Sequence, residues 1–351
     1  MKIRPLKQKG FEEILIAQEE KAGLHAVIAI HDTRLGPALG GIRMFPYRSE
    51  AEAVQDATRL AEAMTFKAAS AELALGGGKA VIIGDPNRGK SPALLEAMGH
   101  FVEKLAGRYI SAKDSGITTQ DLVQISKITR HVTGLPESMG GSGDPSPWTS
   151  LGVLEGIKLS VREKLGKENL KGLRIAIQGV GHVGGFLAEL LAQEKTELWI
   201  SDINSQQAHQ AAGRYGAKES SPGEIYELPA DIFSPCAMGG VINDETVPKL
   251  RCSIVAGGAN NQLLDEARHG KALLESGILY VPDYVLNAGG LINIYVKDIL
   301  KEKDSRPWIL KIAPRLKKIF DLARKQNIPT SQAARQWVYE RMAFKADFKS
   351  G

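Results

Sequence analysis

The sequence predicts an α/β protein of two domains, a mixed sheet with helices followed by a doubly wound parallel sheet. Its 351 residues, at about 150 per domain, suffice for two cores. Between Gly134 and Pro147 the run GLPESMGGSGDPSP, dense in glycine, proline and serine, separates two periodic regions as a hinge does. Beyond it, apolar strand-like runs alternate with helical stretches, the pattern of a parallel sheet. The division expected is 1–133, 134–328 and a closing helical segment 329–351, with chemistry in a cleft between the two domains.

The elements follow in order. Ala26 to Ile30 is a β-branched run and reads as a strand. Ser49 and Glu52 have the spacing of a capping box, and Val54, Ala57, Leu60, Ala61 and Met64 recur at helical spacing, placing Lys67 just beyond the helix end. After Gly76-Gly77-Gly78 comes a strand over Ala80 to Ile83, closed by Gly84-Asp85-Pro86, and Ser91-Pro92 opens another helix. Tyr109 to Ser111 is a short strand running into Lys113-Asp114-Ser115-Gly116. Past the hinge, a helix over about Thr149 to Leu165 precedes strands at Leu173 to Gln178, Leu198 to Ile200, Asp231 to Phe233, Ser253 to Ala256 and Ile278 to Val281. Thr330 is expected to cap a last helix, with Ala333, Ala334, Trp337, Val338 and Arg341 along one side and its end near Phe344.

Composition narrows the function. Hydrophobic residues make up 43% and charged residues 24%, and the net charge of +5 is scattered without long like-charge runs, so nucleic acid is not the expected partner. No stretch of about 18 apolar residues occurs and the opening residues are polar, so neither a membrane span nor a signal peptide is expected, and the expected location is cytoplasmic. Cys236 and Cys252 form no CxxC pair, and the seven histidines lack metal-ligand spacing, so no disulfide framework and no metal are expected.

One motif carries clear chemistry. Gly179-Val180-Gly181-His182-Val183-Gly184 follows the strand Arg174 to Gln178 and opens a helix. Such glycines let the backbone approach a pyrophosphate, which the free N–H groups and dipole of the helix start stabilise. Asp202 ends the next strand 18 residues beyond Gly184, where a carboxylate bonds a ribose 2′-hydroxyl and repels a 2′-phosphate. The expected cofactor is therefore NAD, on a Rossmann-type fold. Gly76-Gly77-Gly78-Lys79 is no triphosphate loop, because Leu73 and Ala80 occupy the positions that need glycine and a hydroxyl. Gly140 to Asp144 likewise misses the hydrolase elbow. Lys79, beside three glycines and entering an apolar strand, is either a strand-edge lysine or a base whose pKa is depressed by its surroundings.

Gly36-Pro37-Ala38-Leu39-Gly40-Gly41, Arg43-Met44, Met64 to Lys67, Gly76 to Lys79, Asp114, Asp144 to Pro147, Gly179 to Gly181, Pro235-Cys236-Ala237, Ala259 to Gln262 and Asn287 to Gly290 occur in an order that resembles the amino acid dehydrogenases of the leucine, phenylalanine and valine type. The resemblance spans nearly the whole chain. It implies a substrate-binding and oligomerisation domain, then a Rossmann domain, and a last helix that returns to the first domain. It implies an NAD-dependent, reversible conversion of an apolar L-amino acid to the 2-oxo acid, ammonia and NADH by a homo-oligomer, dimer or octamer. By the same resemblance Lys67 holds the substrate carboxylate with Asn261 as polar partner, Lys79 is the catalytic base, and Asp114 exchanges protons beside it. Gly40 and Gly41 admit the substrate backbone, and Leu39, Ala112, Leu291 and Ile294 line the side-chain pocket. Thr149, Cys236, Ala237 and Asn261 would contact the cofactor. An apolar pocket would desolvate a glutamate side chain without a partner, so glutamate is not the expected substrate. The competing expectation is a catalytically silent NAD-binding regulatory or structural protein on the same fold. A hydroxy-acid dehydrogenase would need a histidine beside an arginine, and no such pair is evident.

Overall fold

The computed structural model describes residues 1–349, with side chains to residue 343. The chain divides into two compact units: residues 1–144 with 294–302 and the chain from 340 on, and residues 145–293 with 303–339.

The first unit holds β1 (Lys2–Leu6), β2 (Glu13–Glu19), β3 (Leu24–Asp32), β4 (Ala38–Phe45), α1 (Glu50–Ser70), β5 (Gly76–Ile83), α2 (Pro92–Glu103), β6 (Tyr109–Lys113) and α3 (Thr119–Ser126). Its sheet runs in the order β1-β2-β3-β5-β4-β6. The first three strands and β5 are antiparallel neighbours, whereas β4 lies parallel to both β5 and β6. Alternation along the strands sorts the two faces. Ala80 and Ile82 of β5, with Ile42 and Met44 of β4, enter the core that Met98, Phe101 and Leu122 complete. Val81 faces the other way, onto Ala53, Ala57 and Ala61, the small residues that let α1 lie close to the sheet. Lys79 alternates with Ala80 and therefore shares the α1 face.

Several sequence expectations shift here. Lys67 lies inside the last turn of α1, which continues to Ser70. The three glycines belong to β5 itself, because packing requires them: a Cβ on Gly77 would lie 2.1 Å from Thr65 N on α1, and one on Gly76 2.0 Å from Asp32 O. Ser49 caps α1 by accepting the Glu52 N–H, but the Glu52 carboxylate takes the Arg48 N–H, so the box is offset by one residue. β1, β2 and β4 were not foreseen.

The second unit holds α4 (Ser146–Leu165), β7 (Arg174–Gln178), α5 (His182–Gln193), β8 (Glu197–Ser201), α6 (Ser205–Tyr215), β9 (Lys218–Glu219), β10 (Ile232–Pro235), β11 (Ile254–Val255), α7 (Glu266–Glu275), β12 (Leu279–Tyr280), α8 (Asp283–Leu286), α9 (Gly289–Ile294), α10 (Arg306–Ile309), α11 (Ile312–Gln326) and most of α12 (Thr330–Lys349). All its strand pairs are parallel, in the order β12-β11-β10-β7-β8-β9, so the order reverses between β7 and β10. This is the doubly wound sheet expected, and ligands of such sheets bind beyond the strand ends at that reversal. α4 starts at Ser146, three residues before the expected Thr149, with Pro147 in its first turn, where a missing N–H costs nothing. Thr330 does not cap α12, since its hydroxyl donates to Tyr280 O, and that helix runs beyond Phe344 to Lys349.

A π-helical turn, Tyr295–Ile299, follows α9. Within the first unit its Asp298 Oδ2 accepts from Gly134 N at 2.7 Å and from Ser142 Oγ at 2.8 Å, and Lys297 pairs with Glu137 at 3.1 Å. The start and the middle of the glycine-rich segment are thereby tied to one carboxylate. No helix among the described residues is long and apolar enough to cross a membrane.

Candidate functional site

Three neighbouring strands build the polar centre of the first unit. Lys79 projects from β5 toward α1 and is only 6% exposed. Asp114 follows β6 directly, and its Oδ2 accepts a hydrogen bond from Lys79 Nζ. The same oxygen accepts from Arg43 Nε of β4 at 3.1 Å. Arg43 continues to Asp56 of α1, donating from Nη1 at 2.9 Å, and Asp56 also receives the Tyr47 hydroxyl at 2.7 Å and Arg59 at 2.8 Å. The result is an alternating chain of charges, Lys79, Asp114, Arg43 and Asp56, crossing the sheet edge on to the helix.

Electrostatics follow from this geometry. Burial pulls the Lys79 amine below the ordinary lysine range, against the opposing pull of Asp114. Burial raises Asp114, but Lys79 and Arg43 outweigh it and hold its carboxyl below the ordinary aspartate range. A buried amine pushed toward its neutral form beside a carboxylate held in its ionised form is the arrangement that general acid–base catalysis uses.

The backbone around this pair is fixed by close approach. A Cβ on Gly40 would lie 1.7 Å from Gly78 O, and one on Gly41 2.7 Å from Asp114 Cβ. Both glycines are therefore demanded by neighbouring strands, apart from any role toward a ligand. The buried Tyr109 hydroxyl donates to Gly40 O at 2.6 Å and its ring lies against Gly78, bracing the same point. Leu39 and Ala112 are buried on β4 and β6, two strands paired through Leu39 with Ile110 and Gly41 with Ala112. Lys67 sits half-buried on α1. Ile294 belongs to the first unit and Leu291 to the second.

The second unit carries the glycine motif where its strand order reverses. Gly179, just past β7, has φ of 90°, and a Cβ there would meet Ala237 just past β10; one on Gly184 would lie 1.9 Å from Gly179 O. These two glycines shape the turn itself. Gly181 differs, with nothing within 4 Å of its Cβ position, and as N-cap of α5 it offers no side-chain cap. Val180 and His182 flank it, and Val183 packs over Gly258. The first N–H groups of a 12-residue helix thus face an open, side-chain-free approach, which fits a dinucleotide pyrophosphate. Asp202, after β8, accepts from Val180 N at 2.9 Å and from Asn204 N at 2.9 Å, so it clasps the glycine turn from the neighbouring strand end. Gln178 Oε1 and Asn287 Oδ1 nearby are buried acceptors without a protein partner, as a site for a polar ligand would have. Thr149 Oγ1 bonds Pro145 O in the first turn of α4 and lies where a Cβ on Gly290 would reach 2.6 Å. Cys236 Sγ accepts from Gly258 N. Asn261 is exposed in a left-handed conformation, φ 51°, while its neighbour Asn260 is held by Asn287.

Sequence reasoning missed one residue here. Arg43 appeared only as part of a resemblance, because nothing in a linear pattern reveals that its fork spans Asp114 and Asp56.

Comparison with known proteins agrees with both halves. Residues 13–131 match the family model described as Glu/Leu/Phe/Val dehydrogenase, dimerisation domain, and residues 200–348 match that of Glutamate/Leucine/Phenylalanine/Valine dehydrogenase. The glycine motif lies between these stretches, so its reading stands on its own geometry. The chain is 46% identical to a leucine dehydrogenase of Thermoactinomyces intermedius over 345 residues, covering 97% of this chain and 94% of that one. It is also 46% identical to a phenylalanine dehydrogenase of Lysinibacillus sphaericus, covering 92% and 86%. The crystal structure of L-tryptophan dehydrogenase from Nostoc punctiforme superimposes with a TM-score of 0.85 at 41% identity, covering 96% and 97%.

Proposed function

This chain belongs to the Glu/Leu/Phe/Val dehydrogenase family, and from that premise we infer that it catalyses the reversible oxidative deamination of an apolar L-amino acid to the 2-oxo acid and ammonia, with NAD as hydride acceptor. The observation that carries this reading is the Lys79–Asp114 pair, a buried lysine joined to a half-buried carboxylate that also holds Arg43. When bound, the nicotinamide accepts a hydride from the substrate Cα. The remaining work falls to side chains. Lys67 holds the α-carboxylate, with Asn261 as a polar partner. Neutral Lys79 takes a proton from the water that attacks the imine carbon, and Asp114 passes protons to and from the departing nitrogen. Leu39, Ala112, Leu291 and Ile294 supply an apolar environment for the substrate side chain. One methylene in such a pocket is worth only about 1–3 kcal/mol, so close neighbours in size, such as leucine and valine, are accepted together. The relatives named for leucine, phenylalanine and tryptophan support an apolar substrate of the leucine/valine or the phenylalanine/tryptophan type. A homo-oligomer is proposed as well, supported by the dimerisation-domain description of residues 13–131. Measuring NADH absorbance with a panel of amino acids tests the reading, and silence across apolar members would overturn it.

Two predictions separate the roles. In Lys67→Ala the substrate KM is expected to rise on the order of 10²-fold, because its carboxylate must then enter without a fixed cation. An unchanged KM would remove Lys67 from the site. Asp202 supports NAD over NADP, since a 2′-phosphate would face its charge. Asp202→Ser is therefore expected to narrow the ratio of kcat/KM between the two cofactors, and a wild-type preference for NADP would sink the assignment.

A further inference from the structure

We propose that Arg43 is a positioning residue for the deamination: with Nε on Asp114 Oδ2 and Nη1 on Asp56, it fixes where the Asp114 carboxylate lies and sets the charge balance around Lys79. This rests on the reading of Lys79 and Asp114 as the acid/base pair. The geometry gives Arg43 a task that no lysine can perform, because two separate nitrogens of one planar group hold two carboxylates on different elements. Asp114 Oδ2 takes both cations, while Oδ1 has only Ser115 Oγ at a long 3.5 Å among side chains and the Ser115 N–H also donates to the carboxylate. Without Arg43, the carboxylate would lose one of its two cations and its link to α1, and keep Lys79 and Ser115 alone.

The charged groups facing the pair come from every element around it. Asp114 faces Lys79 from the end of β6, Arg43 from β4 and Asp56 from α1, while Tyr109 of β6 faces Asp114. Arg43 disfavours the charged form of Lys79 and Asp56 favours it, so the two act on the base with opposite sign. Asp56 therefore tempers Arg43 as well as anchoring it. Tyr47 and Arg59, bonded to Asp56, keep that anchor in place.

The test is the pH profile of kcat/KM for amino-acid oxidation, whose acidic limb reports loss of the neutral Lys79. Removing the Arg43 charge in Arg43→Met lets Lys79 hold its proton to higher pH, so the limb is expected to move toward alkaline pH. Asp56→Asn removes a charge that favours protonated Lys79, so its limb is expected to move the opposite way. Arg43→Lys restores the charge but not the two-point hold, and is expected to return the limb toward wild type while kcat stays reduced. A role limited to folding would lower kcat at every pH and move no limb, so unmoved limbs, or limbs moving in the same direction in Arg43→Met and Asp56→Asn, would overturn the proposal. If Arg43→Met fails to fold, Asp56→Asn and Arg43→Lys still decide. Failure of the underlying reading looks different: the wild type would oxidise no amino acid, or Lys79→Ala would retain turnover.

Discussion

Alanine at position 79 is expected to lower kcat for amino-acid oxidation by about 10²–10⁴-fold while NAD affinity stays within about twofold of wild type. The side chain lost is the one group on β5 that can take a proton, and Asp114 and Arg43 would remain paired behind it as a carboxylate without its base. The cofactor residues proposed all lie in the other unit, so cofactor binding supplies an internal control. Steady-state rates with leucine and phenylalanine, together with NADH fluorescence titration, measure both. Near-wild-type kcat would refute the base assignment, and a parallel loss of NAD affinity would show that Lys79 serves the fold.

The second large effect is on stability. In Gly40→Ala the added methyl would overlap the Gly78 carbonyl, 1.7 Å away, where both atoms belong to paired strands that have nowhere to move. A loss of about 3 kcal/mol or more is expected, at the severe end for one methyl group, and a protein that does not accumulate in soluble form is the same result in stronger form. Urea unfolding gives the number. Gly181→Ala makes the contrast, since nothing lies within 4 Å of its Cβ position: its stability should match wild type while its dinucleotide affinity falls. If Gly40→Ala unfolds like wild type, the close pairing of β4 and β5 at this point is wrong.

Much of this was legible in the sequence, for reasons that differ by element. The second unit read well because its strands are short apolar runs between helices and its glycine motif sits at a strand end, both local signals. The first unit read less well. β4 contains Gly40 and Gly41, which weaken any strand pattern, and only the partners Gly78 and Asp114 reveal why glycine is required there. The same holds for Gly76 to Gly78, which resemble a loop until Asp32, Thr65 of α1 and the Tyr109 ring are seen against them in turn. β1 has Pro5 and alternating charged residues, an edge strand whose pairing with β2 is decided by a neighbour and not by its own propensity. At the site, the local pattern left Lys79 open between a strand-edge lysine and a base, Asp114 came only from a resemblance, and the link through Arg43 to Asp56 joins residues whose proximity only the folded sheet creates.

The splicing of residues 294–302 into the first unit bears on how the protein is made. Gly134 N and Ser142 Oγ lie 164 and 156 residues ahead of Asp298, the carboxylate that secures them. At about 5–20 residues per second, a ribosome releases that partner on the order of ten seconds after the glycine-rich segment has emerged. During that interval the six strands of the first sheet are all available to pair, and Leu135 can pack on their core, while the two hydrogen bonds to Asp298 are still to form. Residues 145–293 of the second unit emerge meanwhile and its residues 303–339 follow Asp298, so each unit is still incomplete when the other has begun to appear.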